Sequence, residues 1–180
     1  LLEEQVLFCL VPRHPPRFDE VAKKLESAGL SYMRRSAFVQ TGEMSAVNAR
    51  MITQGRQLVL LGDSIGEMPR YYAASHVAII AGSFLPFGGQ NLIEACATGV
   101  PVLVGPHTEN FSQAVFDAIQ EGAALRVPTA EAAVQQALTL LDEPQRLSRM
   151  TQAGTQWVSK HTGAVARVLT GLNELKAERK

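Results

Sequence analysis

Two kinds of residue stand out along this chain: cations held between prolines, and glycines followed closely by amides and carboxylates. Pro12-Arg13-His14-Pro15 sets Arg13 and His14 in a segment whose prolines restrict the backbone and withhold amide donors. Such a segment can aim the planar fork of Arg13 at a phosphate or a base carbonyl. A solvated surface turn is the competing reading. Gly62-Asp63-Ser64-Ile65-Gly66-Glu67 places backbone amides ahead of an expected helix, whose N-terminus favours anions. Asp63 or Ser64 could equally cap that helix, with Glu67 completing a capping box, and the two readings are compatible.

A third segment carries more information. Gly82-Ser83 is followed by Phe87-Gly88-Gly89-Gln90-Asn91-Leu92-Ile93-Glu94. Paired glycines let ligand atoms approach the backbone closely, Asn91 can cap a helix, and Glu94 lies one turn in on the face it shares with Asn91. A carboxylate there can accept hydrogen bonds from both hydroxyls of a ribose. The alternative is an ordinary capping box of Asn91 and Glu94; the Gly88-Gly89 pair argues for more than capping. A fourth segment, Gly105-Pro106-His107-Thr108-Glu109-Asn110-Phe111, offers His107 as a proton-transfer group or hydrogen-bond donor, although a loop-ordering role suits a lone histidine better.

These segments need elements to bring them to one place. Residues 6–11 form a short continuous apolar run, the pattern of a strand buried on both faces of a parallel sheet. A helix is expected over 18–28 with Gly29 as its stop, and a short strand over 30–33. No periodicity persists from 34 to 55, which reads as an irregular excursion. Alternation then resumes: strand 57–61, helix 67–74, strand 77–81, loop 82–90, helix 91–98 stopped by Gly99, strand 102–104, loop 105–110, helix 111–121 and strand 124–127. Helices follow from 130 onward, with Pro144 separating the first from the next. Strands alternating with helices at this spacing predict a Rossmann-like α/β fold, a parallel sheet with helices on both faces. Ligands of such sheets bind beyond the carboxyl ends of the strands, where all four segments fall.

Composition narrows the function classes. The 180 residues are 46% apolar and carry zero formal charge, with no long run of Lys or Arg. That favours one compact domain, residues 1–180, and disfavours binding to nucleic acid through phosphate neutralisation. Cys9 and Cys96 match no zinc or redox spacing and read as reduced core residues, which suits a cytoplasmic compartment. No apolar stretch approaches the roughly 18–20 residues of a membrane span. There is no GxGxxG after the first strand, no P-loop, no metal-ligand cluster and no GxSxG elbow, so a metal-independent nucleotide-sugar site remains. The start at Leu1-Leu2-Glu3-Glu4, running straight into an apolar strand, suggests a piece of a longer protein.

Taken in order, Val11-Pro12-Arg13-His14-Pro15, Gly62 to Glu67, Gly82-Ser83, Gly88 to Glu94 and Gly105 to Phe111 resemble the C-terminal domain of bacterial 3-deoxy-D-manno-octulosonic acid (Kdo) transferases. The resemblance runs from about Val6 to Phe111; beyond Val127 it amounts only to helical character. It implies one half of a GT-B glycosyltransferase, two Rossmann-like domains facing a cleft, that moves Kdo from CMP-Kdo to a lipid A precursor at the cytoplasmic face of the inner membrane in lipopolysaccharide biosynthesis. This chain would be the donor half. Arg13, His14, Ile65, Gly66, Glu67, Asn91, Leu92, Ile93 and Glu94 would hold CMP. Ser83, Gly88, Gly89, Gln90, His107 and Asn110 would contact the donor sugar or order the loops. The catalytic base, the acceptor site and the membrane contact would belong to an N-terminal domain, leaving no catalytic residue here and no metal or other cofactor. The family usually has histidine where Gln90 stands and proline where Leu92 stands, so no proton transfer can be assigned to residue 90. Two other readings stay open: a GT-B enzyme using a UDP-sugar, and a non-catalytic Rossmann-like module that docks a protein partner.

Overall fold

The computed structural model describes residues 6–37 and 58–161, in two compact units divided after Tyr71. Most of the expected irregular excursion, and anything after residue 161, lies outside the described residues.

In the first unit β1 (Phe8–Leu10), β2 (Ser31–Arg34) and β3 (Leu58–Leu61) form a parallel sheet in the order β1-β3-β2. Leu10 and Arg34 both stand level with Leu61, so all three strands end along the same edge. Helix α1 (Arg17–Ser27) joins β1 to β2. It starts without a side-chain cap: the carbonyls of His14 and Pro15 accept the amides of Arg17 and Phe18 at 3.0 Å, and Asp19 and Glu20 in the first turn complement the helix dipole. Its apolar stripe buries Ala22 and Leu25. Gly29, at φ +68°, closes the helix by donating to Glu26 while Leu30 donates to Leu25. This is the Schellman pattern, and only a residue free to take positive φ makes it without strain. The short α2 (Met68–Ala73) follows β3.

In the second unit β4 (Ala78–Ile80), β5 (Val102–Val104) and β6 (Ala124–Arg126) form a second parallel sheet with β5 in the middle. Alternate side chains of each strand enter different cores. Ala78, Ile80, Val102, Val104 and Ala124 pack with Leu92, Ala95, Cys96, Val115, Ala118 and Trp157. Ile79, Leu103 and Leu125 pack with Ala133, Leu140 and Met150. The two-residue strand period thus puts helices on both faces. Helices α3 (Ile93–Ala97) and α4 (Ser112–Gln120) cover one face, and α5 (Ala130–Leu141) the other. Helix α6 (Pro144–His161) serves both cores, with Met150 in one and Trp157 in the other. Thr129 caps α5 by accepting from the Ala132 amide at 3.1 Å. Pro144 opens α6 at a position where no amide donor is needed.

The expected α/β parallel architecture is what the structure shows, with two differences. Hydrogen bonding divides the strands into two three-stranded sheets, one per unit, rather than a single ladder. The helix expected over 91–98 begins only at Ile93, because Asn91 Oδ1 accepts the Ile93 amide at 2.9 Å and holds the preceding backbone in a turn. Among the described residues no helix is long and apolar enough to cross a membrane.

Candidate functional site

At the carboxyl edge of the first sheet, three strand ends feed three loops. Arg13 and His14, in the loop after β1, are exposed and make no side-chain hydrogen bond or ion pair among the described residues. The loop after β3 is fastened beside that after β1, since the Gly62 amide donates to Leu10 at 2.8 Å. A β-carbon on Gly62 would lie 2.9 Å from the Tyr71 ring and 3.0 Å from Val11, so glycine is needed for this approach. Ile65, 75% exposed, and Gly66, at φ +79°, form the loop's tip with open space around them.

The carboxylates of this loop are already occupied. Glu67 accepts from Ser64 Oγ at 2.5 Å and from Arg35 and Arg70 at 3.0 and 2.9 Å. The Ser64 hydroxyl first, and then the Arg35 and Arg70 charges, hold the Glu67 carboxyl below its ordinary value against an opposing desolvation. Asp63 does not cap α2. It reaches back to accept the Ser36 amide at 2.8 Å and hydroxyl at 2.6 Å, and it stands 3.5 Å from Arg34. Sequence spacing missed Arg34, Arg35 and Ser36, because partners about thirty residues away leave no local pattern.

In the second unit Ile80, Val104 and Arg126 stand side by side at the strand ends, so the loops after β4 and β5 leave from one edge. Ser83 is fully buried between them, donating to the Ile80 carbonyl at 2.5 Å and accepting the Gly105 amide at 2.6 Å. Of the two roles open to Ser83, loop ordering is the one its geometry fits. The Ser83 carbonyl also accepts the His107 amide at 2.9 Å. The His107 ring is partly exposed, with Nδ1 3.6 Å from Glu109, so its backbone orders the loop and its side chain stays accessible.

Gly88 and Gly89 both lie at φ +78°. A β-carbon on Gly88 would collide with the Asn110 side-chain amide, and one on Gly89 would come within 3.2 Å of the His107 carbonyl. Asn110 binds this turn twice, its backbone amide donating to Gly88 at 3.0 Å and its side chain to Phe87 at 3.2 Å. Pro86, Phe87, Gly88, Glu109 and Asn110 line an open depression at this junction. The Gln90 side chain covers Gly82, where a β-carbon would sit 3.2 Å from it.

The two readings of Asn91 and Glu94 are now separated. Asn91 caps the Ile93 amide, but Glu94 is exposed and makes no hydrogen bond or ion pair among the described residues, so no capping box forms. Its charge adds to burial in raising the Tyr72 hydroxyl above its ordinary pKa. Ile93 is exposed beside it, whereas Leu92 is fully buried. The proposed Leu92 contact is therefore corrected: its side chain belongs to the core, and only its backbone is left to meet a ligand.

The fold has a solved counterpart. The C-terminal CMP-Kdo binding domain of WaaA from Acinetobacter baumannii superposes with a TM-score of 0.74 at 32% identity, over 86% of this chain and 75% of that one. The sequence pattern of the family described as "Glycosyl transferases group 1" matches residues 51–157. The chain belongs to that family. Among curated relatives, the 3-deoxy-D-manno-octulosonic acid transferase of Bordetella pertussis is 53% identical over 93% of this chain and 37% of its own length. The enzyme of the same name from Haemophilus influenzae is 33% identical over 91% of this chain and 36% of its own. The chain thus spans little more than a third of the length of these two relatives. The resemblance to the C-terminal domain of Kdo transferases, and the GT-B fold it implied, are borne out.

Within this group 1 domain, one further side chain bears on the site. Arg126, which carried no signal in the sequence, closes the second edge by donating to the carbonyls of Gly105 and Pro106 at 2.8 and 3.0 Å and to Thr108 Oγ1 at 2.9 Å. The thiols have no part in it. Burial pushes Cys9 up to about 11 and Cys96 up to about 12, so neither is a thiolate near neutral pH. Among the described residues, no three His, Cys, Asp or Glu side chains cluster as metal ligands would.

Proposed function

We propose that this chain is the donor-binding domain of a Kdo transferase, which holds CMP-Kdo while Kdo passes to a lipid A precursor in lipopolysaccharide biosynthesis. The observation that carries the reading is Glu94: an exposed carboxylate, unclaimed by capping, five residues after a glycine pair held at positive φ. It occurs in a chain similar over nearly its whole length to named Kdo transferases, and in the fold of a domain named for CMP-Kdo binding.

In this reading Glu94 accepts the ribose hydroxyls while Asn91, the Leu92 backbone and Ile93 line the nucleotide. Arg13 and His14, in the loop after β1, and Ile65, Gly66 and Glu67, in the loop after β3, are also assigned to CMP recognition. Glu67 acts there mainly by ordering its loop through Arg35 and Ser64. During transfer the bond between the Kdo anomeric carbon and the CMP phosphate breaks and an acceptor hydroxyl oxygen bonds to that carbon. The hydroxyl proton goes to a base in the N-terminal domain. Arg13 stabilises the departing phosphate, so good a leaving group that it needs no acid, and the reaction uses no metal. The whole enzyme would meet its lipid acceptor at the cytoplasmic face of the inner membrane through that same N-terminal domain.

Titration calorimetry of this chain with CMP, beside UDP, tests the reading. Saturable CMP binding stronger than UDP binding is expected. A preference for UDP moves the assignment to a UDP-sugar transferase, and binding of neither nucleotide leaves only a non-catalytic interaction module.

A further inference from the structure

We infer that Arg126 is a positioning residue for the sugar end of the donor, fixing the glycine turn at residues 88–89 through the loop after β5 without touching the nucleotide. The inference rests on the donor-domain reading and takes, for Gly88 and Gly89, the donor-sugar contact that the family resemblance implies. Arg126 is the last residue of β6, level with Val104, so its guanidinium enters the bend of residues 105–108 from the side. There it meets two carbonyls and one hydroxyl within 3.0 Å. Three acceptors in different directions match the fixed fork of a guanidinium, which the single ammonium of a lysine cannot reproduce.

The bend passes its position on. The His107 amide is tied to Ser83, and Asn110 is tied by two hydrogen bonds to Phe87 and Gly88. A β-carbon on Gly89 would lie 3.2 Å from the His107 carbonyl, so the two loops are in near contact along this stretch. A displacement of residues 105–110 therefore displaces the glycine turn. Asn91 and Glu94 are anchored separately, by the cap on Ile93 and by Leu92 in the core. Loss of Arg126 should accordingly separate sugar recognition from nucleotide recognition, whereas general loosening of the domain weakens both.

The test is calorimetry of CMP and of a non-hydrolysable CMP-Kdo analogue with the full chain and its variants. Arg126→Ala is expected to weaken analogue binding about tenfold, about 1.4 kcal/mol, and to leave CMP binding within about twofold. Arg126→Lys should recover part of the loss. Thr108→Val removes one of the three acceptors and should shift the analogue alone, by about threefold, which keeps the test open if the alanine variant does not fold. Equal weakening of both ligands, or no change in either, overturns the inference. If the unaltered chain binds CMP but shows no added preference for the analogue, the positioning role fails while the nucleotide reading stands. If it binds neither, the donor-domain reading fails and takes the inference with it.

Discussion

At the scale of single residues, two glutamates of similar sequence setting do different work. Glu67 follows a loop of glycine, aspartate and serine, and its carboxylate is held by a hydroxyl and two guanidinium groups. Glu94 follows a glycine pair and an asparagine, and its carboxylate is left to solvent among the described residues. Glu94→Ala should therefore weaken CMP binding by about 1–3 kcal/mol, the value of hydrogen bonds to a charged group, with little change in melting temperature. Unchanged affinity by calorimetry removes Glu94 from the site. Gly88 sets the opposite expectation. Alanine there meets both a positive φ and the Asn110 side chain, so Gly88→Ala should cost about 1–3 kcal/mol of stability, read from chemical denaturation. A stability loss below about 0.5 kcal/mol would mean that the turn re-forms freely.

At the scale of elements, the strand ends of the first sheet are tied together by charge. The loop after β3 meets residues just beyond β2 through Asp63 with Ser36 and Glu67 with Arg35. Because the Glu67 pKa is depressed in the folded chain, its contribution to stability is complete above the ordinary glutamate value of 4.5 and is lost as pH falls through the depressed one. Other lowered carboxyls, such as Glu20 and Glu131, are common to both proteins in a comparison of the unaltered chain with Glu67→Gln. The stability gap between the two should be larger at pH 7 than at pH 3, measured by urea denaturation. A gap that does not narrow in acid would show that Ser64, Arg35 and Arg70 together give the ionised carboxylate no net advantage. In the second unit the analogous tie between loops runs through the uncharged hydroxyl of the buried Ser83 and the guanidinium of Arg126, and uses no carboxylate.

At the scale of the whole molecule, the proposed reading gives this chain the donor-binding half of a reaction and leaves the proton acceptor to another domain. The described residues include the unengaged Arg13 guanidinium, an unclaimed carboxylate at Glu94 and shaped glycine turns, groups suited to holding an anion and a ribose. Incubated with CMP-Kdo and a lipid A precursor, the chain alone is expected to bind donor and transfer nothing, as followed by mass spectrometry of the acceptor. Transfer by this chain alone would refute the division of labour between the two domains.

The sequence by itself determined the order of strands and helices and the segments at the strand ends. Those features are written locally: apolar runs, helical spacing and the glycines at 29 and 99 act over a few residues. Each of those glycines closes a helix at positive φ. It also reached the family, because five polar segments in a fixed order constrain more than any one of them. Only the tertiary structure decided that Ser83 is a buried staple, that Leu92 is core, that Glu67 is engaged and Glu94 free, and that Arg126 holds the loop after β5. Each of those outcomes depends on packing or on a partner brought up by the sheet, from as far as 32 residues away for Glu67 and 21 for Arg126, and no spacing rule along the chain encodes that.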